Sequence, residues 1–265
     1  MFYSNSSSLF WRKNVYRIPP FGRAWVGFKS FEIMVKNSII SASKANQLYW
    51  LGRYQERVYM TLHLMHKCYD QMIDGNPESY HPLRDMLDPM HNYPNNEEFA
   101  LGMVYDENNP SSVFSALNRA MDNAILLRED IYTETLSYIE LSIALMKKCK
   151  KENKINITLL QYITDWSLAF WGSAEQRIYN TRILNIMMIG RHVEYLDMML
   201  RYNYDYKRIS LAYKILKKYL NELPASVDSD IAGQLDALLV EEAFDLSNEE
   251  YKQKVTKYIN KMIKI

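Results

Sequence analysis

From Ser43 onward apolar and polar residues recur at helical rather than strand spacing. Leu48, Leu51, Val58, Leu62, Met65, Tyr69 and Met72 fall three, four or seven apart and define one helical stripe. At about 100° per residue, Tyr49, Arg53, Glu56, Met60 and Leu64 form a second stripe opposite the first. A helix apolar on both faces is normally interior. The pattern therefore predicts a central helix over about 43–74, capped by Ser41 or Ser43 and stopped at Asp74-Gly75-Asn76-Pro77. Residues 75–109, broken by Pro77, Pro82, Pro89 and Pro94, read as an irregular crossover. Asn109-Pro110 predicts a new helix start, with Asn109 as cap and Pro110 first inside. That helix is expected to run to about Lys151, with a kink near Arg128-Glu129-Asp130. A helix over about 155–170 follows, and Gly172-Ser173 is expected to separate it from another over about 175–203. Three shorter amphipathic helices are predicted near 206–222, 227–244 and 247–264.

One nine-residue pattern occurs twice on these helices. Leu51-Gly52-Arg53-Tyr54-Gln55-Glu56-Arg57-Val58-Tyr59 returns as Ile189-Gly190-Arg191-His192-Val193-Glu194-Tyr195-Leu196-Asp197. The offset is constant: 190 − 52 = 138, and 194 − 56 = 138. A glycine inside a helix costs ~1 kcal/mol relative to alanine, and a buried unpaired charge costs more. Both features recurring at one spacing point to two segments with a shared task. The expectation is that the two helices pack through Gly52 and Gly190, related by an approximate twofold axis, with each arginine near the other helix's glutamate. Tyr195 stands where Arg57 would have its counterpart, so loss of Arg57 is expected to be milder.

Composition narrows the class. Only 8 Gly and 8 Pro against 15 Met and 48% apolar residues favour helices over strands and turns. The chain reads as all-α: a single helical bundle of about 7–9 helices, with helix content above the ~30–35% of ordinary globular proteins. Residues 41–265 are expected to be that single domain, and residues 1–40 a disordered or non-native N-terminal extension, with a docking arm as the alternative. Thirty-two basic and 31 acidic residues leave a net charge of +1, so nucleic-acid binding is not expected. No apolar run reaches the ~18 residues of a membrane span. Cys68 and Cys149 lack a paired motif and fit a reduced cytoplasmic protein.

No phosphate loop, nucleophile elbow or cysteine pair is present, and neither a cofactor nor a metal is expected. Glu78-Ser79-Tyr80-His81 has di-iron spacing, but it lacks a second copy and lies in the crossover. Trp50, Trp166 and Trp171 lie among apolar neighbours and read as core. For Arg53, Glu56, Arg191 and Glu194 the simpler account is an ion-pair network that fixes a helix crossing. The functional account is an anion or carboxylate pocket lined by the two arginines. Arg119, Asn123, Asp130 and Glu134 share a helix face, read either as a solvated surface or as part of a polar cavity with the Gly-Arg helices.

Four segments carry a resemblance. Tyr49-Trp50-Leu51-Gly52-Arg53-Tyr54-Gln55-Glu56-Arg57 resembles the opening signature of the bacterial Alpha-E family, and Asn109-Pro110-Ser111-Ser112-Val113 resembles its Asn-Pro-Ser-Ser-Ile helix start. Arg119-Ala120-Met121-Asp122-Asn123-Ala124, with Arg128-Glu129-Asp130-Ile131 and Glu134, is similar to its Arg-Ala-Arg-Glu-Asn-Ala and Arg-Glu-Gln-Ile stretch. Residues 190–194 match its late Leu-Gly-Arg-x-x-Glu motif. The chain departs from the pattern at Tyr195 and Met121, where the family has Arg, and at Asp122, where it has Glu. The resemblance implies a polar cluster of Arg53, Glu56, Arg57, Arg119, Asp122, Asn123, Arg128, Glu134, Arg191 and Glu194. It also implies, through the family's gene neighbours and fusions, partnership with circularly permuted ATP-grasp ligase-like and transglutaminase-like proteins. The function so implied is that of a helical accessory or scaffold protein in peptide or amide-bond modification. The alternative is an enzyme or anionic-ligand module using an Arg/Glu cavity between the two motif helices.

Overall fold

A computed structural model describes residues 40–264, other than 77 and 89–92. The expected N-terminal extension thus lies outside the described residues, apart from Ile40. Eleven α-helices and two 3₁₀ turns account for 79% of the described residues, well above the globular average. The only pairing of strand type among them is an isolated bridge between Val227 and Ile263. No helix among the described residues is long and apolar enough to cross a membrane.

The first helix, α1 (Ala42–Ile73), begins where the Ser41 hydroxyl accepts from the Lys44 N–H at 3.2 Å. It ends at Gly75, whose φ of +99° other residues rarely adopt. Both stripes are buried over most of its length: Leu48, Leu51, Val58 and Leu62 on one, Tyr49, Arg53, Glu56 and Met60 on the other. The crossover supplies α2 (His81–Leu87) and α3 (Asn96–Tyr105), two of the helices beyond the number expected.

Next comes α4 (Val113–Leu126), which starts later than the sequence predicts. Its cap is Ser112, which accepts from the Ser115 N–H at 3.0 Å. Asn109 instead accepts from the Ser111 N–H and donates to Asp88, an Asx turn that holds the approach to the helix. The expected kink is a full break. A four-residue turn, α5 (Arg128–Ile131), leads to Tyr132 at φ +66°, and α6 (Thr133–Glu152) follows. Then α7 (Ile157–Arg177) runs straight through Gly172 and Ser173, where a boundary was expected. Trp171 and Ala174 are buried on either side of that glycine, so packing outweighs its weak helix propensity. The true boundary is Asn180, whose side chain caps α8 (Thr181–Arg201). The remaining helices are α9 (Tyr206–Asn221), α10 (Ser229–Leu238) and α11 (Glu249–Lys261).

Residues 39–265 form one compact unit. Within it α1 packs most extensively on α8, then on α4 and α7. The other side of α8 is covered by α9 and α11, and α6 packs on α7 and α4. Thus the two helices that carry the repeated motif form the central pair.

Candidate functional site

The site begins with two absent side chains. A Cβ on Gly52 would lie 2.1 Å from the Met187 carbonyl oxygen, and one on Gly190 would lie 2.1 Å from the Tyr49 carbonyl oxygen. These contacts are images of one another, since 187 − 49 = 138. Only glycine lets the two backbones touch here, and the touch fixes the register of α1 against α8.

That register joins the motif charges across the crossing. Arg53 Nε donates to Glu194 Oε2 at 2.6 Å, and Arg191 Nε donates to Glu56 Oε2 at 3.1 Å. Both glutamates are buried: Glu56 is 2% exposed and Glu194 1%. The exchange is reciprocal, but not symmetric. Arg57 Nε also donates to Glu194, at Oε1 and 2.6 Å, a bond as short as that of Arg53, although its side chain is 23% exposed against 7% for Arg53. Tyr195, its image, offers Glu56 no such bond, and Arg191 is the single cation paired with Glu56 among the described residues.

The electrostatics follow. Burial raises the Glu194 carboxyl, but Arg57 and Arg53 together outweigh it and hold the group below the usual carboxylate range. Burial raises Glu56 too, Arg191 only partly opposes it, the charge of Glu194 adds to it, and the result is a carboxyl pushed up to about 7. The Trp171 indole N–H lies close enough to help lower Glu56, although it makes no hydrogen bond of good geometry.

Several participants are not among the residues the sequence singled out for the site. Asn260, on α11, accepts from Arg53 Nη1 at 2.6 Å and donates to Asp197 Oδ1 at 3.3 Å. Asp197 also accepts from Arg201 at 3.0 Å and lies 3.9 Å from Arg53. Arg191 stacks over Trp171 at 4.6 Å and Arg53 over Trp50 at 5.0 Å. Asp197 was detectable, being one turn beyond Glu194 on the same face; Asn260 was not. Arg57, Glu194, Asp197, Arg201 and Ser111 line a cleft of about 140 Å³. Met86 and Arg201 also line a polar cleft of about 920 Å³ that includes Gln71, Tyr202 and Lys252.

The other sequence candidates stand apart. Arg119 is exposed and reaches the cluster only by stacking over Tyr54, 5.9 Å away, a ring Arg57 also stacks on. Asp122 and Arg128 are exposed and Asn123 is half-buried. Glu134, also exposed, lies 3.6 Å from Arg177. Asp130 pairs with Lys44 at 3.0 Å. Glu78 and His81 pair with each other at 2.6 Å, and no group of three metal-ligating side chains occurs among the described residues.

A family model described as a predicted alpha-helical domain with a conserved ER motif matches residues 41–245. The chain belongs to the Alpha-E family. No curated protein and no solved structure matches it. The sequence holds one Glu-Arg dipeptide, Glu56-Arg57, and here its two residues bond to different partners on α8: Glu56 to Arg191 and Arg57 to Glu194. The Alpha-E match stops before α11, so Asn260 enters the network from outside it.

Proposed function

We propose that this Alpha-E protein is a helical accessory or scaffold, acting in the cytoplasm with an ATP-grasp-type ligase and a transglutaminase-like peptidase in peptide or amide-bond modification. One observation carries the non-catalytic part of this reading. The motif charges are engaged with one another: Glu56, Glu194 and Arg53 are all at most 6% exposed, whereas a catalytic acid or base must reach its substrate. Exposed Leu141, Tyr162 and Leu168 on α6 and α7 supply apolar surface of the kind partners cover. Free, buried Cys68 and Cys149 fit a reducing compartment. The test is reciprocal tagging in the native host, followed by amide-formation assays of the ligase with and without this chain. Co-purification with a changed ligase rate is expected. Turnover by the isolated chain, or an unchanged ligase rate with no co-purification, overturns the reading.

A second reading, an anionic-ligand or enzyme site between the motif helices, draws on the cleft of about 140 Å³ that reaches Arg57, Glu194 and Asp197. It requires inorganic phosphate or acetate to raise the melting temperature, and the rise to vanish in Arg57→Gln. No shift with either anion removes it.

A further inference from the structure

The offset of 138 that relates the two motif copies also relates two clefts. Adding or subtracting it carries Arg57 to Tyr195, Asp197 to Tyr59, Met198 to Met60 and Arg201 to His63. The first member of each pair lines the cleft of about 140 Å³, and the second lines a separate cleft of about 350 Å³ between α1, α8 and α9. The two clefts are images under the internal repeat, and their chemistry has diverged. Where Asp197 and Arg201 form an ion pair at 3.0 Å, Tyr59 and His63 stack, with ring centroids 5.9 Å apart and planes 8° from parallel. Where Arg57 bonds to Glu194, Tyr195 stands beside Glu56. Three charged side chains in the first cleft thus correspond to three rings in the second.

The rest of the second cleft continues the change. Met60, Met199 and Ala212 form a buried apolar floor, and Leu211 sits at the rim 60% exposed. Arg208 is the one lysine, arginine or acid in the lining, and it stacks over Tyr204 at 5.5 Å. Its own counterion, Asp205, is 3.5 Å away in an exposed pair, and such pairs are weak and easily exchanged. Burial, with His66 and Lys67 nearby, holds the His63 imidazole below its usual value, so it serves as a neutral ring. The hydroxyls of Tyr59, Tyr195 and Tyr204 make no hydrogen bond to the protein among the described residues. A flat apolar ligand with one negative group would find ring faces, phenol donors and a single cation here. The cleft volume lies at the small end of the range for such sites.

We infer that the cleft beside Tyr195 is a binding site for a small planar aromatic molecule carrying one negative charge. This does not depend on the accessory role proposed above.

The test is isothermal titration of the full chain with indole-3-acetate, its uncharged amide and cyclohexylacetate, which keeps the charge without the flat ring. Indole-3-acetate binds, and each of the other two binds at least about tenfold more weakly, a difference of about 1.4 kcal/mol. Arg208→Gln, at an exposed position, removes the preference for the acid over the amide. Tyr195→Arg, which restores the residue found in the other cleft, abolishes binding while circular dichroism stays helical. No binding of indole-3-acetate up to its solubility limit overturns the inference, as does equal binding of all three compounds. If Tyr195→Arg fails to fold, the Arg208→Gln comparison decides alone: an unchanged preference for the acid refutes the site.

Discussion

Glu56 accepts one arginine and Glu194 accepts two, so two carboxyls at equivalent positions respond to pH in opposite directions. Glu56, raised from 4.5 to about 7, contributes stability that is fully present below its unfolded value and lost as pH rises towards about 7. Glu194, lowered from 4.5, contributes stability present above that value and lost as pH falls through its folded pKa. Glu56→Gln should therefore remove part of the decline in unfolding free energy between about pH 4.5 and 7, a decline of at most roughly 1.4 kcal/mol for each step of one in pH. At pH 8 it should cost little, because Arg191 keeps Trp171 and the half-exposed Glu175, 3.7 Å away. Glu194→Gln at pH 8 should instead cost about 3–5 kcal/mol, since it leaves Arg53 and Arg57 without their shared counterion. Urea unfolding at pH 5 and pH 8 distinguishes them; identical pH slopes for wild type and Glu56→Gln would mean that Glu56 ionises as an ordinary carboxyl. The cross-pairing of the four motif charges was legible in the sequence, because buried charges must pair and a constant offset names the partners. The asymmetry was only half legible. Tyr195 marks a missing arginine, but nothing in the sequence says that Arg57 would then turn to Glu194.

At the scale of elements, the glycines sort by what stands opposite them. Gly52 and Gly190 face backbone carbonyls that cannot move aside, whereas a Cβ on Gly172 would meet nothing within 4 Å. Gly52→Ala and Gly190→Ala should each destabilise by about 1–3 kcal/mol or more through overpacking. Gly172→Ala should stabilise by up to ~1 kcal/mol through helix propensity alone. Denaturant midpoints measured with unchanged slopes check all three; a Gly52→Ala protein as stable as wild type would mean that the helices do not touch there. The same contrast explains a misplaced boundary. Gly172-Ser173 is a local break signal, but Phe170, Trp171 and Ala174 bury the helix on both sides of it. The stronger signal was Asn180, a capping residue eight positions on. Helix periodicity reads the sequence locally, and at Gly172 the outcome is decided by contacts with helices far away in the chain. Asn109 shows the converse: a residue with cap chemistry used its amide for Asp88 and left the cap to Ser112.

At the scale of the molecule, α11 ties the C-terminal region into the centre. Val255, Ile259 and Met262 are fully buried, and Asn260 bridges Arg53 on α1 to Asp197 on α8. A lone asparagine on an amphipathic helix gives no sign of this, because its partners lie more than sixty residues upstream. Yet the Alpha-E match ends at residue 245, so the central network of this chain is completed by a helix beyond the matched segment. Two variants separate the contributions. Asn260→Ala removes an acceptor from a buried guanidinium and should cost about 1–3 kcal/mol. Deleting residues 246–265 also removes the burial that Val255, Ile259 and Met262 contribute, worth about 1.5–3 kcal/mol each. The sum approaches the ~5–15 kcal/mol stability of a typical domain, so the truncated chain should lose its cooperative thermal transition near ambient temperature. A truncated protein that melts within a degree or two of the full chain would show that α11 covers α8 without supporting it, and that Arg53 does not need Asn260.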